Sequence, residues 1–297
     1  MIRLLPFFLL CTIGATSNAA EFPKPPGQRF DVGGYQLHIN CVGEGSPTVI
    51  VDVGLGDDST DWLPVQASAE VDSRICVFDR PGYGWSDFGP QPRNSYRIAQ
   101  ELETLLQQAN IPPPYVMVGH SFGGYNIRVF TAMHPEAVKG MVLVDASHEE
   151  QYDRFQISLP QHYNRRSNIL VVPKSTDDTT TYLNKPQVLR ERAFHAARAE
   201  ISSLSESAKQ VQASPELPNI PLVIVTRGLP EWFGDITQQN REKTWSDLQQ
   251  QLYLLSPQSQ QVFAHQSGHD IPQKQPQIII DAINNVLERM RSMNTEG

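Results

Sequence analysis

Polar and apolar residues alternate in the first part of the chain and then give way to short apolar runs. YQLHINCVG alternates, whereas TVIVDVG and RICVFDRPG are apolar runs closed by glycine-rich turns. Both patterns are typical of β-strands. In SYRIAQELETLLQQAN, apolar residues recur at Ile98, Leu102, Leu105 and Leu106, which predicts an amphipathic helix.

The same strand and helix rhythm continues through most of the chain. Strands are predicted for YVMVGH, GMVLVDA, PLVIVTRG and QQVFAH. Helices are predicted for NIRVFTAMHPE and IIIDAINNVLERM. Alternation of this kind predicts an α/β fold with a mostly parallel sheet flanked by helices. The rhythm breaks between about residues 146 and 217, where a polar stretch precedes a helical one. We interpret this part as a helical lid insertion within one domain that spans residues 20–297.

The N-terminal segment, MIRLLPFFLLCTIGATSNAAEF, predicts a secretory signal peptide over residues 1–19. Arg3 precedes an apolar run, and Ser17 and Ala19 fit a small-residue cleavage site. The apolar run is about half of the roughly 20 residues that span a bilayer. We therefore expect a secreted or periplasmic protein with no stable membrane insertion after cleavage.

The net charge limits the classes of binding partner, and the cysteine content bears on disulfide formation. Removing the signal peptide takes away Arg3 and no acidic residue, so the formal net charge goes from −8 to −9. A chain this acidic disfavours a nucleic-acid partner. Cys41 and Cys76 remain as an even pair, which permits a disulfide in an oxidising compartment. Metal and nucleotide motifs are missing from the sequence, since HEEQ is not HExxH and no phosphate-binding loop occurs, so we predict neither a metal nor a cofactor.

The stretch GHSFGG is the strongest chemical signal in the sequence. It follows a buried apolar strand and precedes a helix, and this is the context of a nucleophile elbow. Glycines at 119 and 123 remove side chains that would collide across such a turn, and the helix N-terminus favours an oxyanion. We predict that Ser121 is a nucleophile; the alternative is a small residue in a glycine-rich turn.

A serine nucleophile needs a base that is held by an acid. His269 in HQSGHDIP fits best as the base because it follows the last predicted strand and precedes the last helix. His265 is a distant second candidate for the base, because it is expected to belong to the strand itself and not to the loop after it. His120 is next to Ser121, but neighbouring side chains on a tight turn point apart.

Four stretches resemble the serine hydrolases of the α/β-hydrolase fold: GHSFGG, DVGLGDDSTDW, DRPGYGWSD and SGHDIPQKQP. The resemblance covers nearly the whole chain after the signal peptide. It implies that the backbone N–H groups of Leu55 and Phe122 form an oxyanion hole. Val53 stands where the family usually has histidine, which leaves the backbone donors unaffected.

The triad acid departs from the commonest pattern of that family. The loop after the seventh strand offers Glu231 or Asp235, without the usual run of aspartates. The alternative family position, at the end of the sixth strand, holds Asp145. We favour Asp145 as the acid, with a structural aspartate at the strand end as the alternative reading.

The resemblance also implies a reaction and a cysteine pairing. It implies hydrolysis of a small ester-like substrate through an acyl-enzyme; amidase or peptidase, carbon–carbon hydrolase, acyltransferase and non-catalytic binding protein remain as alternatives. We expect His148, Tyr152 and Phe155 to be the first insertion residues that line the pocket. Cys41 and Cys76 fall on strands that are neighbours in the family's strand order, so we predict a disulfide. The sequence assigns neither the acyl and leaving groups nor an oligomeric state.

Overall fold

A computed structural model describes residues 24–68, 73–159 and 187–295 of the protein. The predicted signal peptide, residues 1–19, and residues 160–186 of the predicted insertion lie outside these ranges.

One eight-stranded sheet runs through the described residues, in the order β1-β2-β4-β3-β5-β6-β7-β8. β1 and β4 each pair antiparallel with β2, and every other pair is parallel. The strands are β1 (Gln28–Asp31), β2 (Gln36–Val42), β3 (Thr48–Asp52), β4 (Ile75–Phe78), β5 (Tyr115–His120), β6 (Val138–Val144), β7 (Leu222–Arg227) and β8 (Ser259–Ala264).

Helices cover both faces of this sheet. They are α1 (Leu63–Gln66), α2 (Ser95–Gln108), α3 (Gly123–Met133), α4 (Gln151–Arg154), α5 (Gln187–Ile201), α6 (Leu204–Gln212), α7 (Ile236–Tyr253), α8 (Ile271–Lys274) and α9 (Pro276–Thr295), with a 3₁₀ turn at Ser59–Trp62. The mostly parallel sheet flanked by helices that the sequence predicts is thus confirmed. Among the described helices, none combines the length and the apolar character that a membrane span requires.

The central strand β5 shows why its residues form a buried strand. All six of its residues are buried, and alternate side chains enter different hydrophobic clusters. Met117 packs in the cluster that includes residues of α2 and α3, while Val116 and Val118 pack in the cluster that includes residues of α9. A strand with both faces covered needs apolar residues at every position, so the sequence reads as a continuous apolar run.

The cysteine prediction is confirmed by the pairing of β2 with β4. Cys41 lies opposite Cys76 in this antiparallel register, their Cα atoms are 4.0 Å apart, and the two residues form a disulfide. The bond links the antiparallel edge of the sheet to its parallel core.

The described parts of the predicted insertion are α4, α5, α6 and the residues that flank them. α6 packs against α2 and α3, and its buried residues Leu204, Ala208 and Val211 join the same hydrophobic cluster as residues of those helices. The second flank of the insertion is therefore attached to the face of the sheet that carries α3.

Candidate active site

Ser121 occupies the tight turn between β5 and α3. Its φ is +51°, a left-handed conformation that a non-glycine residue rarely adopts. Two glycines make the turn feasible: a Cβ on Gly119 would lie 2.8 Å from the backbone of Gly123, and one on Gly123 would lie 2.1 Å from the carbonyl oxygen of Asp52. The backbone N–H of Ser121 donates to the carbonyl of Val144 (3.1 Å). The strained turn is therefore possible because glycines stand at 119 and 123, and the hydrogen bond to β6 stabilises it.

The imidazole of His269 faces the carboxylate of Asp145. Nδ1 of His269 lies 2.6 Å from Oδ2 of Asp145, a hydrogen-bond distance, although the residues are 124 positions apart. Asp145 is fully buried at the end of β6 and its φ is +38°. Its other oxygen, Oδ1, accepts from the indole N–H of Trp245 (2.9 Å). A carboxylate so placed can fix the tautomer and orientation of the imidazole.

A buried cation also contacts Asp145. Nη1 of Arg227 donates to Oδ2 of Asp145 (3.0 Å), and its Nη2 donates to both oxygens of Glu242. Burial by itself raises the pKa of Asp145, but the Arg227 guanidinium and the hydrogen bonds from His269 and Trp245 outweigh it and hold that pKa well below the usual range. The carboxylate is therefore ionised at neutral pH.

The two other candidate acids contact different groups. Glu231 accepts from the backbone N–H of His269 (2.7 Å), not from its ring. Asp235 caps α7, where its carboxylate accepts from the N–H of Gln238 (3.0 Å). His265, the second candidate base, is exposed just after β8. The geometry therefore pairs His269 with Asp145.

The turn after β3 and the turn after β5 bring the two predicted oxyanion donors to the site. Leu55 and Phe122 both line the cavity that contains Ser121. Within the described ranges, neither backbone N–H donates to a protein acceptor. Both N–H groups are therefore without a described protein acceptor, which is one requirement for the donors of an oxyanion hole.

A fully buried arginine stabilises the turn after β3 through hydrogen bonds to its backbone carbonyls. Arg80 donates through Nη1 to the carbonyl of Val53 (2.6 Å) and through Nη2 to that of Gly54 (2.9 Å). Its charge is balanced by Asp52 (2.6 Å) and by Glu200 of α5 (2.7 Å). Because the C=O and N–H of a trans peptide point in opposite directions, the bond to the Gly54 carbonyl turns the N–H of Leu55 away from Arg80.

The cavity beside Ser121 and His269 has a volume of about 480 Å³ and mostly apolar walls. Of the residues predicted to line it, Tyr152 and Phe155 do so. His148 does not: it is buried, its Nδ1 accepts from the N–H of Glu150 (3.1 Å), and its carbonyl accepts from the hydroxyl of Tyr125. Further apolar lining comes from Leu55, Phe122, Ile157, Leu159, Ile201, Leu204, Trp232 and Trp245. No set of His, Cys, Asp or Glu side chains in the described residues is arranged to hold a metal ion.

Sequence reasoning missed three residues of this site. Arg227 and Trp245 lie on β7 and α7 and reach Asp145 only through the fold. The sequence argues against His120 as the base but does not predict that its ring lies 4.7 Å from that of His269, measured between centroids. The arginine in VIVTRG, a cation at the end of an apolar strand, was a signal that could have been used for Arg227.

Comparison with known proteins assigns the family. The α/β-hydrolase fold family matches residues 47–278, and the chain belongs to it. An uncharacterised protein of Bacillus subtilis, YqjL, is 26% identical over 245 residues, which are 82% of this chain and 85% of that protein. Several other relatives are matched over only 20% to 28% of their own length.

Solved structures show the same fold. A thermophilic esterase from Thermogutta terrifontis superposes with a TM-score of 0.63 at 21% identity, over 89% of this chain and 98% of that one. An epoxide hydrolase mutant from Vigna radiata superposes with a TM-score of 0.63 at 15% identity, over 89% and 98%. At such identities the likeness shows the fold alone, and the chemistry has to be argued from the site.

Proposed function

We propose that the protein is a serine hydrolase that works through an acyl-enzyme, with carboxylic esters as its substrates. One observation carries this proposal: the 2.6 Å pair of His269 with buried Asp145 opens onto the same cavity as Ser121 on its strained turn. A serine hydroxyl becomes a nucleophile at neutral pH only with such a base and acid beside it.

The reaction follows from this geometry in two steps. Oγ of Ser121 attacks the acyl carbon while Nε2 of His269 accepts its proton, and the N–H groups of Leu55 and Phe122 stabilise the oxyanion. The tetrahedral intermediate collapses, the alcohol leaves with the proton from His269, and an acyl-enzyme remains. Water then attacks the acyl carbon, gives a proton to His269, and releases the acid as Ser121 recovers its proton.

The surroundings suggest how a substrate is held. The apolar walls of the cavity, including Tyr152 and Phe155, suit an apolar acyl group. Ile201 and Leu204, from the second flank of the insertion, line the same cavity, which supports our proposal that residues 146–217 form a lid over Ser121. The disulfide is compatible with the proposed export after removal of residues 1–19.

Covalent labelling tests the nucleophile directly. A fluorophosphonate probe should label the wild-type protein and should fail to label Ser121→Ala. Ser214→Ala, on a serine whose hydroxyl donates to the carbonyl of Gln210, should label normally. A folded wild-type protein that takes no label would favour the non-catalytic alternative.

A substrate panel tests the bond that is cleaved. We expect turnover of p-nitrophenyl esters graded by acyl length, and slower turnover of matched anilides, meta-cleavage products and acyl acceptors other than water. Faster turnover of an amide or of a carbon–carbon substrate would replace the ester assignment while keeping the acyl-enzyme.

A further inference from the structure

His120, which directly precedes the proposed nucleophile, contacts both other parts of the site. Nε2 of His120 lies 3.0 Å from the backbone carbonyl oxygen of His269. Nδ1 lies 3.4 Å from Oδ2 of Asp57, in the turn that carries Leu55. The side chain is almost fully buried, with 4% exposed, and lies edge-on to Trp62. One imidazole therefore joins the elbow, the oxyanion turn and the loop of the base.

The two contacts together specify the protonation state of this ring. A carbonyl oxygen only accepts, so Nε2 has to carry a proton. Nδ1 is buried and has no hydrogen-bond partner in the described part of the chain, and the Asp57 carboxylate lies within ion-pair distance of it at 3.4 Å. A lone pair on Nδ1 would face a carboxylate without any donor, whereas a proton there faces an anion. These contacts therefore favour a proton on both ring nitrogens, which makes the ring an imidazolium.

The peptide of His269 is held on both sides by side chains. Its carbonyl accepts from His120, and its N–H donates to Glu231 (2.7 Å). Displacement of a catalytic group by about 1 Å can cost about 100-fold in rate. The contact from His120 therefore fixes where the imidazole of His269 can lie relative to Ser121.

We infer that His120 is a positioning residue: as an imidazolium paired with Asp57, it clamps the His269 loop and the oxyanion turn to the nucleophile elbow. The kinetic consequence of this inference rests on the proposed function, whereas the charge of His120 does not depend on that function. In this clamp, Nε2 contacts the loop of the base, and the proton on Nδ1 pairs with Asp57 in the oxyanion turn.

The charged groups around His120 agree with this state. Burial lowers the pKa of His120, but the Asp57 carboxylate, the His269 carbonyl and the Asp145 carboxylate together raise it above its ordinary value of 6.5. The titratable ring of His269 lies tilted against it, and Asp270 lines the cavity beside Ser121. A raised pKa keeps the clamp intact below pH 6.5 and releases it as the pH rises through the raised value.

Nuclear magnetic resonance on protein with ¹⁵N-labelled histidine tests the charge without any substrate. The signal of His120, assigned by its loss in His120→Gln, should show two protonated ring nitrogens at pH 6.5. Asp57→Asn should lower its titration midpoint by about one pH unit, a tenfold change in the proton-binding constant. Asp281→Asn removes one carboxylate from the surface of α9 and should leave the midpoint unchanged. A neutral His120 at pH 6.5, or a midpoint insensitive to Asp57→Asn, would overturn the inference.

Kinetics test the positioning role. His120→Gln keeps an N–H donor for the His269 carbonyl but loses the charge that pairs with Asp57. We therefore expect a loss of kcat smaller than that of His120→Ala, and no further fall of kcat at the alkaline pH where the wild type releases the clamp. His120→Ala should lose about 100-fold in kcat with a much smaller change in KM. Equal kcat in the alanine and glutamine variants, with both folded by circular dichroism, would contradict the clamp. Absence of fluorophosphonate labelling in every protein would instead contradict the proposed function, and the resonance measurement would stand.

Discussion

Arg227 donates to the same carboxylate oxygen of Asp145 that faces the imidazole of His269, at 3.0 Å and 2.6 Å respectively. The proposed triad acid is therefore shared between the base and a buried guanidinium. The side chain of Arg227 is 3% exposed and also pairs with Glu242. The acid is thus one member of an ion network, and its substitution and that of Arg227 should have separable effects.

Replacement of Asp145 should identify the acid. Asp145→Asn should lower kcat on the order of 10⁴-fold, because an amide no longer fixes the imidazole tautomer. Glu231→Gln keeps an acceptor for the His269 N–H, and Asp235→Asn keeps a helix cap, so both should retain most activity. Steady-state kinetics, with thermal denaturation to confirm folding, checks this. Loss of activity in either loop variant together with near-normal turnover of Asp145→Asn would place the acid after β7.

Replacement of Arg227 should lower the free energy of unfolding. Arg227→Met leaves the buried Asp145 carboxylate without its cation, and breaking a buried ion pair on one side costs about 3–5 kcal/mol of unfolding free energy. Arg227→Lys keeps the charge and should lose less. Urea unfolding measures the difference. If the methionine variant were as stable as the wild type, the ion network would not contribute to the fold.

Glu200 connects the insertion to the oxyanion turn through Arg80. Glu200→Gln leaves the guanidinium with Asp52 as its one remaining carboxylate partner among the described residues. We expect a lower kcat with a smaller change in KM, because the carbonyls of residues 53 and 54 lose part of their support. Glu206→Gln, on the exposed side of α6, serves as the control and should behave as wild type. Equal kcat in the two variants would count against this coupling.

The disulfide should stabilise the protein by constraining the unfolded chain. Cys41 and Cys76 are 35 positions apart, and closing a loop of that length contributes on the order of 3–4 kcal/mol in the chain-entropy treatment. The double variant with serine at both positions should lose stability by up to this amount in denaturant unfolding. Thiol titration of the denatured, unreduced wild type should find neither cysteine free; two reactive thiols would contradict the bond.

The sequence by itself determined the elements and the nucleophile turn. Periods of two and 3.6 residues are local, so a run such as YVMVGH predicts a buried strand without knowledge of its neighbours. Glycines at 119 and 123 are required by contacts within the turn and by the approach of β3, so GHSFGG is informative as a short stretch. The order of strands, which places Cys41 beside Cys76, came from the family resemblance.

The tertiary structure decided which side chains meet. Asp145 and His269 are separated by 124 residues, and Asp145, Glu231 and Asp235 all follow β6 or β7, so sequence spacing left three carboxylates open. Their contacts differ because the carboxyl end of β6 points its carboxylate at the ring, whereas the β7 loop points Glu231 at the backbone. The roles of His120 and Arg227 depend on partners from distant segments, and a buried charge is explained only by the groups that surround it.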